Sequence, residues 1–80
     1  EVGYMTNAAK MSVTRSIVPG STKIEYVGVF NLSSYYGSFS DALWEFSDKI
    51  TELSGTRPDL IGVKVSHDKQ YRANGFRLVV

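Results

Sequence analysis

Apolar residues in the stretch SFSDALWEFSDKITELSG recur with the period of an α-helix. Phe39, Leu43, Phe46, Ile50 and Leu53 follow one another at steps of four, three, four and three, which lines them along one side of the helix. Asp41, Glu45, Asp48 and Glu52 repeat the same steps on the far side. The spacing therefore predicts an amphipathic helix from Ser38 to Gly55, its apolar stripe on a sheet and its acidic face in water. Ser38, with Ser40 as the other candidate, supplies a capping oxygen for first-turn amides, and Asp41 reinforces it. Gly55 can close the helix in the left-handed conformation, and Pro58 forbids its continuation.

The rest of the chain alternates with the period of two that marks strands. From Lys10 to Val18, Met11, Val13 and Ile17 fall on one side and Lys10, Ser12, Thr14 and Ser16 on the other, with Arg15 breaking the apolar side as at a sheet edge. Pro19-Gly20 fits a type II turn. From Lys23 to Leu32, Ile24, Tyr26, Phe30 and Leu32 alternate against Lys23, Glu25 and Asn31, and Val27 and Val29 make the middle apolar on both sides, as in a central strand. A third strand is expected over Leu60 to Ser66 with Ile61, Val63 and Val65 inward. His67 to Gln70 reads as a hairpin connection. The last strand is expected from Tyr71 to Val80, with Asn74-Gly75 as a bulge or kink.

The order strand, strand, helix, strand, strand predicts a single α+β domain over residues 10–80, a four-stranded, largely antiparallel sheet with one helix across one face. Residues 1–9 read as an N-terminal arm without a clear period. In element order the chain resembles the β-grasp arrangement of ubiquitin-like and bacterial immunoglobulin-binding domains, in which two hairpins flank a helix. The part from Lys23 to Val80 also resembles small enterobacterial periplasmic stress proteins with a strand, a helix and two strands. Neither likeness brings a shared motif, and fold order alone does not fix function.

Composition narrows the chemistry. Eighty residues hold one core. The absence of cysteine excludes a disulfide framework, a thiolate metal site and a cysteine nucleophile. No apolar run approaches the ~20 residues of a membrane span, and the start of the chain lacks the basic-then-apolar order of a signal peptide. The chain opens on Glu1 in place of methionine, as in a processed form or an excised domain. The net charge of +1 conceals a separation: four of eight carboxylates fall on the helix, whereas Lys10, Arg15, Lys23, Lys64, Lys69, Arg72 and Arg77 fall in the strands and their hairpin.

Such a basic sheet could meet an acidic partner or a nucleic-acid backbone, or serve solubility alone. The strand aromatics fall mostly on inward positions, against the stacking platform that RNA-binding sheets use. His67 beside Asp68 is the one candidate proton-transfer pair, and neither a nucleophile motif nor a phosphate loop accompanies it. The helix carboxylates have no converging ligands from a second element, so no metal or other cofactor is expected. Asn31-Leu32-Ser33 matches the N-glycosylation pattern but begins inside an expected strand.

Tyr35 and Tyr36 in a Ser/Gly loop have the composition of a recognition loop, or they fold back as a lid on the core. Trp44 falls off the apolar stripe, beside Ser40, Ser47 and Thr51. It is either a partner anchor or a residue covered by the N-terminal arm. The expected function is a non-catalytic interaction module that recognises a protein or surface partner through its sheet face, a strand edge or the tyrosine loop. The candidate contacts are Tyr35, Tyr36, Trp44, Lys64, Arg72 and Arg77. A nucleic-acid-binding module is the alternative, and a small hydrolase around His67 is a third reading.

Overall fold

The computed structural model describes residues 11–32, 37–70 and 73–80. In chain order these form β1 (Ser12–Ile17), β2 (Ile24–Phe30), α1 (Phe39–Ser54), a short 3-10 turn (Leu60–Gly62), β3 (Lys64–Asp68) and β4 (Ala73–Val79). The four strands make one antiparallel sheet in the order β1-β2-β4-β3. The expected α+β architecture is therefore present, with β2 central as its doubly apolar middle requires.

Local chemistry places the elements where the sequence puts them. Pro19-Gly20 reverses the chain, with Gly20 at a φ of 74° and Ser21 N–H donating to Val18 O across the turn at 3.1 Å. Ser38 caps α1, its Oγ accepting from Asp41 N–H at 3.2 Å. Gly55, at a φ of 81°, ends the helix and donates its N–H to Thr51 O at 2.8 Å.

The core is one layer between α1 and the sheet. Tyr26 and Phe30 of β2, Phe76 and Leu78 of β4, Met11, and Ala42, Phe46 and Ile50 of α1 are buried. The Phe76 ring is central: Phe30, Phe39 and Phe46 lie with centroids 4.8, 5.2 and 5.2 Å from it. The helix packs against β1 and β2 and reaches β4 through the Phe39 and Phe46 rings. This close approach depends on Gly28, because a Cβ there would stand 2.7 Å from Phe46 Cδ1. The stripe runs in the expected direction, yet Phe39 and Leu53 remain 44% and 48% exposed. Both lie in terminal turns, so the deep line is Ala42, Phe46 and Ile50.

Three expectations need correction. Leu60 to Gly62 does not continue as a strand: Asp59 Oδ1 accepts from Ile61 N–H at 3.0 Å and Val63 N–H donates to Leu60 O at 3.1 Å, which winds the segment into a 3-10 turn. Ile61, expected inward, is 92% exposed as a result. His67 and Asp68 belong to β3, not to the connection, which begins at Lys69. Asn74-Gly75 is no bulge, since β4 keeps an unbroken register with both neighbours through those residues. Gly75 is instead a position of close approach, where a Cβ would stand 2.7 Å from Ser66 Oγ.

Candidate functional site: the open face of the sheet

The antiparallel register assigns every described strand residue to a face, because directly paired residues point the same way. Val13, Tyr26, Gly28, Phe76 and Val65 share the side under α1. The opposite face carries Ser12, Thr14 and Ser16 of β1, Glu25, Val27 and Val29 of β2, Ala73, Gly75, Arg77 and Val79 of β4, and Lys64, Ser66 and Asp68 of β3. No described element covers it. Val29 and Val79 are 48% and 41% exposed there, and Val27 is half-buried. Beside Val27 and Val29 the bare backbone of Gly75 and the short side chain of Ser66 leave a shallow groove of about 720 Å³, rimmed by Asp68 and Arg77.

The charges on this face are partly neutralised. Arg77 Nε donates to Glu25 Oε2 across the β2–β4 pair. Lys64 is the direct cross-strand partner of Arg77, so two cations adjoin one carboxylate. Lys64 and Arg77, both expected as contacts, are thus brought together. Trp44 is not with them: it stands on the outer side of α1, 59% exposed. The Arg57 guanidinium carbon lies 5.6 Å from its ring centroid. Tyr35, Tyr36 and Arg72 lie outside the described residues, as do the N-terminal arm and its expected cover over Trp44.

Arg57 organises the helix flank in a way the helical period does not reveal. Its Nη1 donates to Ser47 Oγ at 2.7 Å and its Nη2 to Asp48 Oδ1 at 2.9 Å. Ser47, expected among exposed neighbours of Trp44, is fully buried beneath this fold-back. The signal was available in Gly55 and Pro58, which turn the chain so that Arg57 faces the helix it has just left.

His67 and Asp68 do not form a dyad. Adjacent strand residues point to opposite faces, and His67 Nδ1 lies 2.9 Å from Asn74 Oδ1 of the paired strand instead. Asp68 Oδ1 accepts from Gln70 N–H at 2.9 Å within the turn. On α1, burial raises the Glu45 carboxyl above its ordinary value; Lys49, 3.9 Å away, lowers it, and Asp48 and Glu52 raise it further. No helix among the described residues is long and apolar enough to cross a membrane. Among the same residues no three His, Asp or Glu side chains gather as a metal site would require.

Compared with known proteins, the chain matches no protein-family model, and no curated protein or solved structure resembles it significantly.

Proposed function

We propose that this domain is a non-catalytic interaction module and that its partner is a protein docking on the open face of the sheet. The observation that carries the reading is the apolar patch of Val27 and Val29 beside the Gly75 groove, on the face that α1 leaves bare. The Arg77–Glu25 pair closes this patch at one end, between Val27 and Val79, and gives it a polar margin of the kind found around an interface centre. A nucleic-acid partner fits less well. Tyr26, Phe30 and Phe76 are buried under α1 and offer no stacking surface, and Arg77 is already engaged by Glu25.

Site-specific photo-cross-linking tests the reading. A photoreactive residue at Val29 should yield an adduct with one defined protein, and the same residue at Glu52 on the exposed helix face should not. Val29→Asp should then lower the affinity of that protein at least about tenfold with the fold intact. Raising salt from ~50 to ~200 mM should change the affinity little, whereas a phosphate backbone would be lost by orders of magnitude. An adduct with nucleic acid, or equal yields from the two positions, overturns the proposal.

A further inference from the structure

The two edges of the sheet differ in a way that selects a partner for one of them. In β1 the Arg15 side chain sits on the helix-facing row, paired with Tyr26. An inward-pointing charge of this kind blocks edge-to-edge pairing. β3 has no such guard. All five of its residues, Lys64, Val65, Ser66, His67 and Asp68, are exposed. None is proline, the register with β4 is unbroken, and the helix-facing row carries Val65 and His67 rather than a fixed charge. Val65 is 55% exposed beside the aromatic cluster at Phe76.

We infer that β3 is a self-complementary edge through which two copies of this chain pair antiparallel, about a two-fold axis at Ser66, into one continuous eight-stranded sheet. Placing the axis at Ser66 sets Lys64 of each copy opposite Asp68 of the other, so the exchange is made twice on the open face. It also sets Val65 opposite His67 twice on the helix side, and on the open face the two Ser66 hydroxyls meet between the Lys64–Asp68 pairs. Cross-strand pairs of opposite charge stabilise a ladder and like charges destabilise it.

Only alternate registers keep both faces continuous, because a slip of one residue would turn apolar positions to the wrong side. Moving the axis to Val65 sets Lys64 opposite Ser66 and Asp68 opposite Gly62. Moving it to His67 sets the two imidazoles against each other and Lys64 opposite Gln70. Of these three axes, the Ser66 axis alone sets Lys64 and Asp68 against each other. A five-residue ladder buries little surface, so the pair belongs with weak, reversible assemblies.

The test uses the 80-residue chain and two charge reversals, followed by sedimentation velocity from ~10 μM to ~1 mM, the range in which weak dimers dissociate. The unaltered chain should show a monomer–dimer equilibrium in that range. Lys64→Glu makes the edge acidic at both ends and should raise the dimer dissociation constant at least about tenfold. It does so without harming the monomer, because Lys64 faces Arg77 on the β4 side and a carboxylate there is the better neighbour. Asp68→Lys makes the edge basic and should have the same effect. Mixed one to one, the two variants regain both opposite-charge pairs and should dimerise where neither does alone. Val29→Asp, on the open face but off the edge, should leave the dimer intact. A chain that stays monomeric at the highest concentration, a dimer indifferent to Lys64→Glu, or one dispersed by Val29→Asp overturns the inference. Should Asp68→Lys fail to fold for want of its bond to Gln70, Lys64→Glu decides alone.

Discussion

Replacing Gly28 by alanine isolates the contact on which the helix placement depends. The added Cβ would stand 2.7 Å from Phe46 Cδ1, 3.0 Å from Phe46 Cε1 and 3.1 Å from Met11 Sδ. Neither neighbour yields easily. Phe46 is fully buried, and its ring is backed by Phe76 at 5.2 Å, itself packed on Phe30 at 4.8 Å. Overpacking of this kind costs about 1–3 kcal/mol. Against it stands a gain of about 0.4–1 kcal/mol, because alanine reduces the entropy of the unfolded chain where the backbone tolerates it. Gly28 qualifies, since it is not among the positive-φ glycines. The clash wins, and the net loss should be about 1–2 kcal/mol, which for a domain this size lowers Tm by roughly 4–16 °C.

Urea melts of Gly28→Ala, Phe46→Leu and the double variant measure the contact directly. If the ring and the new methyl collide, the double variant should lose well less than the sum of the two single losses, with a coupling of about 0.5–3 kcal/mol. Gly75→Ala is the control, also with a 2.7 Å approach, but to the Ser66 hydroxyl at the end of an exposed side chain that can rotate away. Its effect should stay within about 0.5 kcal/mol. A stabilised Gly28→Ala, or strict additivity with Phe46→Leu, refutes the close approach of α1 to β2.

Two further outcomes follow from the helix flank. Arg57→Met leaves the buried Ser47 hydroxyl without its donor and should cost about 1–3 kcal/mol; in a Ser47→Ala background most of that cost should vanish, and equal losses in both backgrounds would show that the bond contributes nothing. Glu45, with its folded carboxyl raised, keeps a proton that the unfolded chain releases, so stability falls as pH rises from the ordinary carboxyl value through the raised one and levels off above it. Glu45→Gln removes that fall, so its stability relative to the unaltered chain should improve as pH rises past the ordinary carboxyl value, and melts that differ by a constant across that rise would refute the assignment.

What the sequence reveals, and what it hides, divides along one physical line. Periodicity and capping are local, and they succeed: the Ser38 cap, the Gly55 stop, the Pro19-Gly20 turn, the central β2 and the edge position of Arg15 are all readable from neighbouring residues. Errors arise where a short-range competitor or a distant contact decides. Asp59 captures the amide of Ile61 and turns an alternating run into a 3-10 turn, so Ile61 points to solvent despite its perfect alternation with Val63 and Val65. Gly75 resembles a bulge in isolation, yet it keeps regular register and lies close to the Ser66 side chain of the neighbouring strand. The open face was foreseeable from a single helix on a four-stranded sheet. Its valine strip became visible only with the register, which shows that Val27, Val29 and Val79 share one side while Tyr26, Phe30 and Phe76 share the other.

The proposed docking face and the proposed β3 pairing edge share one sheet, but geometry would keep the two contacts separable. In the paired sheet the two β2 strands would be separated by β4 and β3 of each copy, five strand spacings or about 24 Å. Each spacing also brings a twist of about 20°, so the two valine strips would be turned by roughly 100° relative to one another. A single rigid partner segment could not lie along both patches, and each copy would therefore engage its proposed partner separately. Lys64→Glu should in consequence dissolve the dimer and lower the partner's affinity far less than Val29→Asp does, whereas Val29→Asp should leave the dimer intact. Loss of both properties in either variant would mean that one surface serves both contacts. By linkage, the partner would then shift the dimer equilibrium by the same factor that dimerisation shifts partner binding.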